Sequence, residues 1–184
     1  MEDAIAAAAA KMDKTIAALK TEFGSIRAGR ANPAVLDKIR VDYYGTPTPI
    51  NQLAAVSVTE ARILTIQPWD ASVLHGVEKA IQSSDLGINP QSDGRTIRLT
   101  FPQLTEDHRK GIVRDLHKMA EEAKVSARGA RRDAIDKLKK QQKAAEITED
   151  DLKDAEKELQ DLTDKHIKDI DAVLAAKEKE VMEV

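Results

Sequence analysis

All six prolines of this 184-residue chain, Pro33, Pro47, Pro49, Pro68, Pro90 and Pro102, lie between positions 33 and 102. Proline removes a backbone donor and its ring clashes with the preceding helical turn, so long helices are confined to the flanks. Four of the five aromatic residues, Tyr43, Tyr44, Trp69 and Phe101, share that central interval. The chain therefore reads as one domain inserted into another.

In the first flank, Ile5, Met12, Ile16, Leu19, Phe23 and Ile26 keep to spacings of three, four or seven, which predicts a helix over about residues 2–28. In the last flank, Leu152, Leu159, Leu162, Ile170, Val173 and Val181 form a similar stripe behind an N-cap at Thr148 and the acids Glu149, Asp150 and Asp151. Thr105-Glu106-Asp107 caps a middle helix that carries Ile112, Leu116, Ala120, Ala123, Ala127, Ala130, Ala134 and Leu138. Three such stripes are buried most simply against one another, as a three-helix bundle with a hairpin near Lys143 to Thr148. A helix of about 38 residues is roughly 57 Å long, so an elongated bundle is expected.

Within the insert, Ile39–Tyr44, Ala54–Val58, Arg62–Gln67 and Thr96–Phe101 have strand-like content. Asp70–Ser83 has helical spacing with Asp70 as its cap. A small α/β or β-barrel-like domain of about 70 residues follows, and the expected class is α+β. The domains are placed at 1–30 plus 105–184 and at 31–104. Their crossings lie at Arg30, Ala31, Asn32 and Pro33 and at Pro102, Gln103, Leu104 and Thr105. A double connection fits either a hinge-like swing or two ordinary turns in a rigid body.

The formal net charge of −3 argues against a nucleic-acid partner, but it is an average. Residues 1–30 carry five bases and four acids, 31–104 six and seven, 105–145 twelve and seven, and 146–184 six and fourteen. The middle helix is thus locally basic and the last helix acidic. At about 100° per residue, Lys110, Arg114, Lys124, Arg128, Arg131, Arg132 and Lys139 share one face of the middle helix, distinct from its apolar stripe and from a third face that carries Asp115, Glu122, Asp133 and Asp136. Arginine forks bind phosphate oxygens bidentately, and without interleaved aromatics the face suits RNA backbone or shape rather than stacked bases. A solvated face, or pairing with the acidic last helix, is the plainer reading of the same charges.

Catalytic and metal signatures are missing. There is no cysteine, and His75, His108, His117 and His166 lack metal-ligand spacing and read as surface or bundle-flank residues. No phosphate loop, dinucleotide fingerprint or nucleophile elbow occurs, so no cofactor is expected and a binding protein is favoured over an enzyme. No segment resembles a membrane span or targeting peptide, so the expected location is the cytoplasm.

Several stretches carry a specific resemblance: Arg27-Ala28-Gly29-Arg30-Ala31-Asn32-Pro33, Val41-Asp42-Tyr43-Tyr44-Gly45-Thr46-Pro47-Thr48-Pro49-Ile50 and Ser84-Asp85-Leu86-Gly87-Ile88-Asn89-Pro90. Pro102-Gln103-Leu104-Thr105-Glu106, Arg128 to Asp133 and Lys177-Glu178-Lys179-Glu180-Val181-Met182 extend it. In order and spacing the chain resembles the bacterial ribosome recycling factors over essentially its whole length.

The resemblance implies an L-shaped, monomeric protein with a three-helix bundle and a hinged β/α/β domain. It implies binding between the ribosomal subunits after termination, with the bundle on large-subunit RNA. Elongation factor G and its GTP hydrolysis then drive subunit separation, and initiation factor three prevents reassociation. Carried over by position, Arg109, Lys110, Arg128, Arg131 and Arg132 are the family's basic contacts, to which the helical wheel adds Arg114 and Lys124. His108 stands where the family usually has Arg, and Gly129 where it usually has Asn. The competing expectation is a helical adaptor that binds proteins through its acidic last helix.

Overall fold

In a computed structural model that describes residues 1–183, the proline-free flanks form three long helices: α1 (Glu2–Ser25), α3 (Glu106–Lys143) and α4 (Glu149–Met182). Between α1 and α3 lie β1 (Arg40–Tyr43), β2 (Thr46–Pro49), β3 (Ala54–Glu60), β4 (Ile63–Pro68), α2 (Leu74–Gln82), β5 (Gln91–Ser92) and β6 (Ile97–Thr100). The class is α+β. The chain divides into two compact units, the first made of Met1–Lys20 with Gly111–Glu180, the second of Thr21–Lys110 with the residues from Val181 onward.

The first unit is a three-helix bundle. Ala8 of α1, Ala134 and Leu138 of α3, and Ala155 and Leu159 of α4 form one buried cluster, and Met12 packs on Ala127 and Ala130 in another. Leu116, Ala120, Ala123, Ala127, Ala130, Ala134 and Leu138 are all buried, so the apolar face expected of α3 is the one that enters the core. Runs of alanine there let the helices approach closely, while Met12, Leu116, Leu138, Leu159 and Ile170 are the large side chains buried completely. Between α3 and α4 the chain turns with Ala145 at φ 58°. The start of α4 is fixed by a reciprocal capping box. Asp151 N donates to Thr148 Oγ1 (3.1 Å), and Thr148 N donates to Asp151 Oδ2 (2.8 Å).

Two differences from the sequence reading belong to the helices. α1 stops at Ser25 rather than near residue 28, where the Ser25 hydroxyl donates to Glu22 O (2.8 Å) and satisfies a last-turn carbonyl. His166 is not a surface or flank residue: it is buried, with Nδ1 2.7 Å from Leu162 O and Nε2 2.8 Å from Asp13 Oδ1. Partners for both ring nitrogens are what make its burial tolerable. Asp13 lies on α1, so this contact ties α1 to α4.

The second unit holds two antiparallel sheets, a β1–β2 hairpin and an open sheet of order β3-β4-β6-β5. Its core gathers Val41, Leu64, Ile66, Val77, Ile81, Ile97, Leu99 and Phe101, all essentially inaccessible. β2 escaped the sequence reading because it contains Pro47 and Pro49. Both strands of a two-stranded ribbon are edges, and a missing donor is tolerated there. Tyr44 and Gly45 both have positive φ (50° and 82°), the backbone of a type I′ hairpin turn, with Gly45 N donating to Asp42 Oδ1 (2.8 Å). The helix expected over Asp70–Ser83 opens as a 3-10 turn, Ala71–Val73, before α2 proper. Asp70 caps that turn by accepting from Ser72 N (2.9 Å).

Candidate nucleic-acid interface

The seven basic residues expected to touch RNA all lie on α3, but they differ in what holds them. Arg109 and Lys110 belong to the second unit, and Arg114, Lys124, Arg128, Arg131 and Arg132 to the first. Lys110 is exposed and paired one turn back with Glu106 (2.7 Å). Arg114 and Arg132 are exposed and Arg128 is half-buried. Among the described residues none of these three has an ion-pair partner. Arg132 makes a long Nε bond to Arg128 O (3.5 Å). Arg128, Arg131 and Arg132 lie within about one helical turn of one another.

Lys124 is placed differently. Its side chain is only 14% exposed, and its Nζ lies 2.6 Å from Asp171 Oδ1 on α4 and 3.3 Å from Glu121 Oε1. The hydrogen bond to Asp171 raises the Lys124 pKa above 10.5; burial opposes the rise, and Glu121 adds to it. Lys124 thus braces the bundle, and its charge is spent on α4. The pairing of basic and acidic helices, one of the two readings of the charge split, is realised here and at His117 with Glu178 (3.1 Å). It is not realised at the arginines.

Arg131 is intermediate between these cases. Its Nη1 donates to Gln160 Oε1 on α4, and Gln160 Nε2 donates to Asp164 Oδ1 (2.9 Å). A neutral amide orients the guanidinium without cancelling its charge. Neither Gln160 nor Asp171 was singled out by the sequence, although the acidity of α4 pointed to partners of that kind.

The expected crossing residues lie in the second unit. Asn32 Oδ1 accepts from Ala34 N (3.0 Å) and caps a 3-10 turn that begins at Pro33. Ala31 N donates to Ala61 O (2.8 Å), and Phe101 N, just before Pro102, donates to Arg62 O (2.7 Å). Both straps are thus pinned to the same two-residue β3–β4 turn. Leu104 is buried, whereas Arg30, Pro102 and Gln103 are exposed. Gly29 has φ 83°, and Leu104 Cδ1 lies 3.7 Å from the place its Cβ would take. Thr105 caps α3 through Oγ1, which accepts from His108 N (3.2 Å).

Among the described residues no three His, Asp or Glu side chains are grouped to hold a metal, and no helix is long and apolar enough to cross a membrane. These features define an α+β protein of two units with an arginine-bearing face on a long bundle helix. Residues 19–182 match the family model described as ribosome recycling factor. The chain is 59% identical over 184 residues to the ribosome-recycling factor of Caldicellulosiruptor saccharolyticus, covering 100% of both. It is 61% identical over 174 residues to that of Clostridioides difficile, covering 95% of this chain and 94% of the relative.

The chain belongs to the ribosome recycling factor family. The solution structure of a ribosome recycling factor superposes with a TM-score of 0.83 at 42% identity, over 100% of this chain and 97% of that one. A second neighbour is the Thermus thermophilus factor, in models with Escherichia coli elongation factor G on the E. coli post-termination complex. It matches with a TM-score of 0.69 at 41% identity, over 99% and 98% of the two chains.

Proposed function

We propose that this chain recycles ribosomes. It binds the post-termination ribosome between the subunits and, with elongation factor G and GTP, promotes subunit dissociation and release of mRNA and tRNA. Initiation factor three then keeps the subunits apart. The observation that carries this reading is the full-length similarity to a factor placed with elongation factor G on a post-termination complex.

The arginine face supplies the anchor. Arg114, Arg128 and Arg132 carry charge that no carboxylate of the described residues neutralises, and Arg131 is presented by an uncharged amide. Together with Arg109 and Lys110 they contact large-subunit RNA through phosphates, a mode that needs no aromatic platform. Residues 1–30 and 105–184 are the anchored domain and 31–104 the pushed one. The straps Arg30–Pro33 and Pro102–Thr105 form the hinge that transmits the push. The protein acts in the cytoplasm as a monomer, by binding alone; the GTPase chemistry belongs to the translocase.

The test is subunit splitting of post-termination ribosomes by elongation factor G and GTP, with and without this chain. Separation that depends on its addition is expected. Separation no faster than with elongation factor G alone would contradict the proposal.

A further inference from the structure

The second unit contains a cavity of about 240 Å³ that shares only Arg109 with the basic face of α3. It is lined by Ala28, Gly29 and Arg30 from the segment after α1, by Ala61 and Arg62 from the β3–β4 turn, and by Gln103 and Leu104. Arg109 of α3 and Glu183 complete the wall. Three arginines and one glutamate thus line the cavity, an excess of positive charge that arginine, protonated in proteins, does not shed.

Arg109 gives the second observation. Its Nε is buried and has no hydrogen-bond acceptor among the described residues. A buried charged donor without an acceptor is unusual in a native fold and marks a place where an acceptor is missing. Backbone hydrogen bonds tie the walls together. Ala31 N to Ala61 O (2.8 Å) and Phe101 N to Arg62 O (2.7 Å) hold the turn against both straps, and Arg109 N to Thr105 O (3.0 Å) fixes the first turn of α3. The volume is below the range of about 300–1,000 Å³ typical of sites for drug-sized ligands, which suits a single phosphate group. Phosphate oxygens take arginine forks bidentately.

We propose that Arg30, Arg62 and Arg109 form a phosphate clamp that takes one backbone phosphate of ribosomal RNA. Glu183 is the opposing charge that keeps the clamp from binding anions indiscriminately. The inference rests on the reading that the chain binds RNA, and it extends the contact surface from α3 to the β3–β4 turn. Arg62 is the diagnostic residue. It is exposed, and its structural bond is made by its backbone carbonyl, so replacing the side chain leaves the fold intact.

The experiment measures ribosome affinity against salt concentration for the unaltered chain, Arg62→Ala, Arg62→Lys, Glu183→Gln and, as a bundle control, Arg131→Ala. Calorimetric titration with inorganic phosphate alone runs in parallel. Arg62→Ala should lose affinity several-fold and lower the log–log salt slope by roughly 0.7 to 0.9, one phosphate contact. Arg62→Lys should keep the slope, and Glu183→Gln should bind more tightly. If Arg62→Ala leaves slope and affinity unchanged while Arg131→Ala lowers both, the clamp is wrong and the RNA-binding reading stands. If neither variant changes anything, both fall. Arg62-dependent binding of inorganic phosphate with an unchanged ribosome slope would overturn RNA as the source and indicate a site for a free phosphate compound.

Discussion

Lys124 of α3 and Asp171 of α4 form an ion pair across the bundle, with Nζ 2.6 Å from Oδ1. The pair separates two uses of positive charge on one helix face, because Lys124 is spent inside the protein while Arg114, Arg128 and Arg132 are not. Asp171→Asn should lower stability by about 1 kcal/mol, the upper end for a partly exposed pair, and leave ribosome affinity unchanged. Because the Lys124 pKa is raised in the folded state, the stabilisation is fully present below 10.5 and lost as pH rises through the folded value. Denaturant unfolding from neutral to strongly alkaline pH checks this. The Asp171→Asn difference should shrink at the alkaline end, and a constant difference would count against the pair.

Gly129 sits in the interior of α3 between Arg128 and Arg131, and a Cβ there would meet nothing within 4 Å. Gly129→Ala should therefore raise stability by about 1 kcal/mol through helix propensity alone. Ribosome binding should not weaken. Thermal unfolding with parallel ribosome cosedimentation measures both, and a loss of binding would mean that the RNA needs close backbone approach at this turn.

His166 is buried and joins α4 to Asp13 of α1. His166→Ala should cost about 2 kcal/mol, from lost packing and an internal cavity. Asp13→Asn, altering the exposed end of the same contact, should cost less. Equal losses in chemical denaturation would show that the bond to Asp13, rather than burial of the ring, carries the stabilisation.

Asp93 closes the turn before β6 by accepting from Thr96 N (2.8 Å), Arg95 N (2.9 Å) and Thr96 Oγ1 (3.0 Å). These bonds, Thr96 N foremost, hold its pKa down to about 2. A lowered carboxyl pKa stabilises the fold above the ordinary value of 3.8, and the contribution is lost as pH falls from there through about 2. Carboxyl NMR titration should place the Asp93 midpoint near 2, and Thr96→Val should raise it. A midpoint near 3.8 in the unaltered chain would refute the assignment.

The long helices were legible because their apolar spacing is sustained over many turns and prolines bound the interval that lacks it. The same confinement hid β2, since Pro47 and Pro49 signal a turn and only ladder geometry shows that a two-stranded edge accepts them. The burial of His166 was illegible because its partners are a carbonyl one turn away and a carboxylate 153 residues distant. On the basic face, the wheel grouped these residues but could not divide them. Lys124 and Arg131 point to the same face by angle, and only the partners on α4 distinguish a brace from a presented guanidinium. Arg62 carried no signal at all, since a lone arginine in a turn gains meaning only from the cavity it lines with Arg30 and Arg109.

Under the proposed function, the arginines of α3 left without carboxylate partners anchor this protein to RNA, and Lys124 does not. The most direct measurement is the salt dependence of ribosome binding for the unaltered chain, the triple variant Arg114→Gln, Arg128→Gln, Arg132→Gln, and Lys124→Gln. The triple variant should lower the log–log slope by about 2 to 3, with each arginine contributing roughly 0.7 to 0.9, and Lys124→Gln should leave it unchanged. A slope unchanged by the triple variant, or lowered as much by Lys124→Gln as by one arginine, would contradict the account.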